Sequence, residues 1–205
     1  MSRSDFNDTW LCEMPSGLGS FETWDMLEYN IRERINHGSK VTKLSDNLFK
    51  IQGIQTSYYW FGSENTVILG TELRIKPDGL VVNITGKNPK YRGREPFASD
   101  LYNAVLNDTH RSIRLLSDDQ LSDEGYGIWK KLVSLGHKVS VYDKKEPGKT
   151  FKTFNSPEEM AEFFNHDDTN FMRYQYVLSE SGECIAETHS VFNTRRYREL
   201  CGLHL

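Results

Sequence analysis

Cysteine is scarce. Cys12, Cys184 and Cys201 are few, odd in number and far apart, which matches neither a disulfide framework nor a zinc-ligand spacing and points to a reducing, cytoplasmic setting. No apolar run approaches the ~20 residues of a membrane-spanning helix, so no membrane association is expected. The N-terminus carries Asp5, Asp8 and Glu13 and lacks the apolar core of a signal peptide. Positive charge is not in excess either: 25 Lys and Arg against 29 Asp and Glu give a formal net charge of -4, so no overall field favours nucleic acid. His166, Asp167 and Asp168 have the composition of metal ligands but no spaced partners, and no metal is expected. What the chain does have is length and apolar content. Its 205 residues, 37% hydrophobic and 12% aromatic, suffice for one sizeable core.

Residues 1–20 contain Pro15, Gly17 and Gly19 with no sustained period and read as an N-terminal arm. From Phe21 the pattern becomes helical: Trp24, Leu27, Ile31 and Ile35 recur on one face, and His37-Gly38 stops the run. Five strand patterns come next, at Val41–Leu44, Leu48–Ile51, Tyr58–Phe61, Thr66–Ile75 and Leu80–Thr85. The turn Lys76-Pro77-Asp78-Gly79 makes a hairpin of the last two. Residues 79–143 then read as a βαβαβ block, with strands at Leu80–Thr85, Ile113–Leu116 and Lys138–Tyr142, a helix opening near Ala98 and another around Ile128, Trp129 and Leu132. The predicted fold class is α+β: a mixed central sheet with an antiparallel N-terminal meander and a parallel βαβ core, flanked by helices. Residues 21–143 form that core. Residues 144–205 complete the same domain with a linker to Thr150, a short helix Pro157–Phe164, a hairpin of 171–179 with 183–189, and a terminal helix bearing Arg195, Arg196 and Arg198. Ser122 and Ser156 have N-cap character, which accounts for both without chemistry.

The stretch Lys87–Pro96 is a basic loop placed between a strand and a helix N-terminus. Outward-pointing amides and the positive end of a helix suit phosphate there. Lys87, Lys90, Arg92, Gly93, Arg94 and Ala98 are the residues in place to hold it, and a solvated basic loop is the alternative.

The order helix, antiparallel strands, basic loop "KNPKYRGREPFASDLYNAVL" and then "SIRLLSDDQLSDEGYGIWKKLVSLGHKVSVYD" resembles the core of a GNAT-type N-acetyltransferase over about half the chain, more in order and hydrophobic pattern than in motif. The phrase "YRGREPFASDLY" also resembles sequences carried by phages and prophages. The resemblance implies acetyl-CoA as cofactor, with its pyrophosphate in the basic loop and its pantetheine along the preceding strand, where Val82 and Ile84 lie. Pro96 stands where the family has glycine, and Gly93 rather than Arg92 where it has Gln or Arg. Proline has no amide hydrogen, so the cradle loses a donor there.

The resemblance further implies a base on the strands beside an amine acceptor and an acid on the helix after the second core strand. Glu72 is the one carboxylate inside an apolar β-pattern and is the candidate base, with an outward-facing strand residue as the alternative. Tyr126 is the candidate acid; Trp129 sits at the position closest to the family's Tyr, and an indole cannot serve. The resemblance leads to two functions. One is an N-acetyltransferase acting on an amine of a protein or small molecule. The other is a lapsed GNAT-fold accessory protein, of phage or mobile-element type, that acts by binding a protein partner.

Overall fold

The computed structural model describes residues 20–53, 55–62, 66–109, 113–118, 121–146, 150–164 and 173–179. The predicted N-terminal arm, apart from Ser20, lies outside these residues, as do the second arm of the predicted C-terminal hairpin and the terminal helix. Among the described residues no helix is long and apolar enough to cross a membrane.

Helix α1 (Ser20–Asn36) presents Trp24, Leu27 and Ile31 on one face, each at most 2% exposed. It ends where the sequence predicts. Gly38, at φ +74°, lets its amide reach Ile35 and that of Ser39 reach Arg34, closing the last turn on its own carbonyls. The chain then climbs an antiparallel meander of β1 (Val41–Lys43), β2 (Leu48–Ile51), β3 (Gln55–Phe61), β4 (Val67–Lys76) and β5 (Gly79–Lys87). The β4–β5 turn is the predicted one, with Lys76 paired to Gly79 around Pro77-Asp78. A 3-10 turn (Pro89–Tyr91) leads to α2 (Ala98–Asp108), then β6 (Leu115–Leu116), α3 (Asp123–Ser134), β7 (Val139–Asp143), β8 (Thr150–Thr153), a 3-10 helix (Pro157–Phe163) and β9 (Tyr174–Leu178).

The nine strands among the described residues form one mixed sheet, in the order β1-β2-β3-β4-β5-β6-β9-β7-β8. β5 and β6 are parallel, joined through α2. β7 runs the same way as β6, because each is antiparallel to β9. They are not neighbours, however: β9 lies between them, which the βαβαβ pattern alone did not predict. The first arm of the predicted hairpin of 171–179 with 183–189 is seen as β9, paired with β6 and β7, and its second arm lies outside the described residues. The aromatic face of β9 turns into the core, where Tyr176 and Leu178 are buried. The predicted linker gives way at Thr150 to β8, a short edge strand held to β7 by a Ser140–Thr153 hydroxyl contact of 2.8 Å.

Two layers cover the sheet. α1 closes one face through Trp24, Leu27 and Ile31 against Ile51, Tyr59, Val67 and Ile84. α2, α3 and the 3-10 helix close the other, with Leu101, Tyr102, Trp129, Leu132 and Met160 against Leu69, Leu73, Val82 and Leu115. Each such side chain contributes about 1.5–3 kcal/mol on burial, so packing rather than helix propensity fixes the layers. Lys50 and Tyr58 both reach Asp108 at 2.7 Å, tying the end of α2 to the meander.

Candidate ligand cleft and a fork between the central strands

β5 and β6 keep company only at Leu80–Leu115 and Val81–Leu116. Past Leu116 the chain stays with β9 instead: the Ser117 amide donates to the Tyr176 carbonyl at 2.9 Å, and the Tyr176 amide donates to the Ser117 hydroxyl at 3.0 Å. Gln175 secures the same turn by donating to the Ser117 carbonyl. Among the described residues the edge of β5 from Val82 to Lys87 therefore has no strand beside it.

That edge is irregular. Pairing with β4 passes from Glu72–Ile84 to Leu73–Val82 and leaves Asn83 out. A bulge of this kind resets side-chain alternation. Val82 consequently faces the α2 and α3 layer while Ile84 faces α1, although the two are two positions apart and would share a face in a regular strand. Asn83 interrupts the apolar run Leu80–Ile84, but nothing in the sequence marks it as a bulge.

Above the fork, the basic loop is folded onto itself. Asn88, 8% exposed, anchors it: its amide donates to the Ile68 carbonyl at 2.8 Å and its side chain accepts from the Lys90 amide at 3.0 Å. The amides of Tyr91, Arg92 and Arg94 donate to Asn88, Pro89 and Tyr91 carbonyls, and that of Phe97 to the Asp100 carboxylate at 2.7 Å. Gly93, at φ +72°, makes the turn possible. Lys87 bends inward, donating to the Arg94 carbonyl and, at 2.7 Å, to that of Pro96. Burial lowers its pKa, against a smaller upward pull from Asp100. The amides from Lys90 to Arg94 that the sequence aims at phosphate are thus turned inward, Gly93 aside, while the Lys90, Arg92 and Arg94 side chains are exposed.

The donors that remain lie one step further on, in the first turn of α2. Helix geometry leaves the first amides without internal acceptors, and among the described residues those of Ala98 and Ser99 have none. Ser99 is 4% exposed and lines a cleft. Ala98, Ser99 and Phe97 form one wall of a half-open cleft of about 400 Å³. The other wall is one face of α3, where Glu124, Gly127, Ile128 and Lys131 recur at helical spacing. α3 itself starts at Ser122, whose hydroxyl accepts from the Gly125 amide at 3.1 Å.

No family model, curated protein or solved structure matches the chain. The functional reading stands on geometry.

Glu72 and Tyr126 lie on opposite sides of the sheet. Glu72, 2% exposed, points into the α1 layer, 3.5 Å from Asn30 and in the field of Arg34. Arg34 is itself held by Ser57 at 2.6 Å and the Gln55 carbonyl at 2.7 Å. Burial raises the Glu72 pKa, opposed by Arg34 and by hydrogen bonds from Asn30 and Ser57. Tyr126 stacks on Phe164, centroids 4.0 Å apart, and burial raises its pKa too. The cleft residues Phe97, Ser99 and Lys131, and the anchor Asn88, escaped sequence reading. A serine at the second helical position and a lysine seven positions after a glutamate were the only signals, and both have everyday structural explanations.

Proposed function

We propose that this chain is an acetyl-CoA-dependent N-acetyltransferase built on a GNAT-like plan, with an amine of a protein or small molecule as acceptor. The observation that carries the reading is the parting of β5 from β6 after two residue pairs. In the family the sequence resembles, such a gap beside the phosphate loop lets pantetheine bond to backbone. From Val82 to Lys87 the open edge is about 17 Å long at the usual rise per strand residue.

The residues at the mouth fit a phosphate. Unpartnered amides at Ala98 and Ser99, the hydroxyl of Ser99 and the Lys131 ammonium across the cleft form a donor set at the positive end of a helix. Asp100 and Glu124 work against it. The exposed Lys90, Arg92 and Arg94 side chains supply the remaining positive field, and Gly93 the turn that carries them. When bound there, acetyl-CoA supplies an activated acetyl group, whose place is the Val82–Asn83–Ile84 end of the edge. A β5 amide at the bulge would be the donor for the carbonyl oxygen as negative charge builds there. Glu72, whose pKa burial raises, is the candidate base for the attacking amine, on the α1 side of the sheet. Tyr126, on the α3 side and stacked on Phe164, would be the proton donor to the departing sulfur.

A second reading is favoured by a different observation: the loop amides are largely satisfied within the loop, and Lys87 is folded onto its carbonyls. On that reading the scaffold has lapsed and acts by binding a protein partner. A thermal shift with acetyl-CoA separates the two. At ~100 times its dissociation constant the ligand adds about 2.7 kcal/mol to a chain with a native site, and Lys131→Glu weakens that gain. An unchanged melting temperature at millimolar acetyl-CoA leaves the binding protein as the reading.

A further inference from the structure

Three hydroxyls stand in line against β5. The Thr71 hydroxyl donates to the Ile84 carbonyl at 2.9 Å and lies 2.8 Å from the Thr85 hydroxyl. The Thr85 hydroxyl in turn lies 3.0 Å from that of Tyr102. Each hydroxyl carries a single proton. With the Thr71 proton on Ile84, the contact between the threonines needs the Thr85 proton, and the next contact needs the phenol proton of Tyr102. The chain therefore has one direction, from Tyr102 through Thr85 and Thr71 to the Ile84 carbonyl. Tyr102 is 1% exposed and burial raises its pKa, so its proton stays in place at ordinary pH.

The chain ends at the bulge. Ile84 is the first residue after Asn83 to rejoin the ladder with β4. A side-chain donor on its carbonyl fixes the peptide plane between Ile84 and Thr85, and with it the path of the strand around Asn83. Tyr102 belongs to α2, the helix whose first turn lines the cleft, and its ring lies 5.9 Å from that of Trp129 in α3. One buried hydrogen-bonded line thus connects the helix at the cleft mouth to the irregular point of the open strand edge.

We propose that Tyr102, Thr85 and Thr71 are positioning residues that hold the bulged edge of β5 in register with the acyl end of the ligand. This rests on the reading of the cleft as an acetyl-CoA site. None of the three touches the reacting atoms. Their effect falls on the acetyl group, beside the bulge, and not on the phosphates at the start of α2.

The test is calorimetric titration of the full chain with acetyl-CoA and separately with CoA, in wild type, Tyr102→Phe, Thr71→Val and Thr71→Ser. Loss of one neutral hydrogen bond predicts that the preference for acetyl-CoA over CoA falls about threefold to tenfold in Tyr102→Phe and Thr71→Val, with CoA affinity unchanged. Thr71→Ser keeps the hydroxyl and retains the preference. Thr71→Val, nearly isosteric, keeps the test valid if Tyr102→Phe does not fold. A wild-type ratio in both disrupted variants, an equal loss toward both compounds, or a wild-type chain that binds the two equally overturns the positioning role and leaves the cleft reading standing. A wild-type chain that binds neither compound overturns both.

Discussion

Glu72 sits in surroundings that disfavour its charge. A carboxylate 2% exposed, with only Asn30, Ser57 and the nearby Arg34 to offset lost hydration, resists ionisation. Its pKa in the folded chain lies above the ordinary 4.5. Between those two values the folded chain holds a proton that the unfolded chain has released, so stability falls as pH rises through that window. Glu72→Gln has no proton to lose there. Its melting temperature, relative to wild type, should therefore climb as pH is raised from 4.5 through the window and then level off, while a constant difference across pH contradicts the assignment. The identity of Glu72 as a lone carboxylate in an apolar run was plain in the sequence; its direction was not. Alternation says only that successive side chains oppose each other, and the bulge at Asn83 on the neighbouring strand separates Val82 from Ile84 in a way that no count of positions contains.

At the scale of elements, the two serines read as helix caps part company. Ser122 accepts from the Gly125 amide at 3.1 Å and opens a regular α-helix. Ser156 caps no amide with its side chain, and it leads into a 3-10 helix from Pro157 to Phe163. Ser122→Ala should therefore cost about 1 kcal/mol and Ser156→Ala about half that or less, read as the shift of urea midpoints at constant slope. Equal costs contradict the distinction. The helices, the meander and its Pro77-Asp78 turn were legible because period and punctuation are local properties. The place of β9 was not. A five-residue strand pattern shows which side is apolar, as Tyr176 and Leu178 do, but the edges it pairs with are set by where β6 and β7 leave a slot. β8 was hidden for a related reason: Thr150–Thr153 is polar on an edge strand and only partly buried, so no hydrophobic alternation marks it.

For the whole molecule, the consequence of this topology is a sheet that, among the described residues, is continuous at Leu80 and Val81 and open beyond them. Two long crossings, β5 to β6 through α2 and β6 to β7 through α3, put both helices on one face, so that their facing surfaces make the cleft. The basic loop drew attention in the sequence because charge is visible there; the free donors lie at Ala98 and Ser99, because Asn88 and Lys87 fold the loop inward. The most direct measurement is an amide nitrogen–proton NMR titration of the full chain with acetyl-CoA. The account predicts shifts that saturate together at Val82–Lys87, Ala98 and Ser99, with the β1–β3 amides unmoved. Spectra unchanged at those residues under millimolar ligand, or shifts confined to other parts of the chain, contradict it.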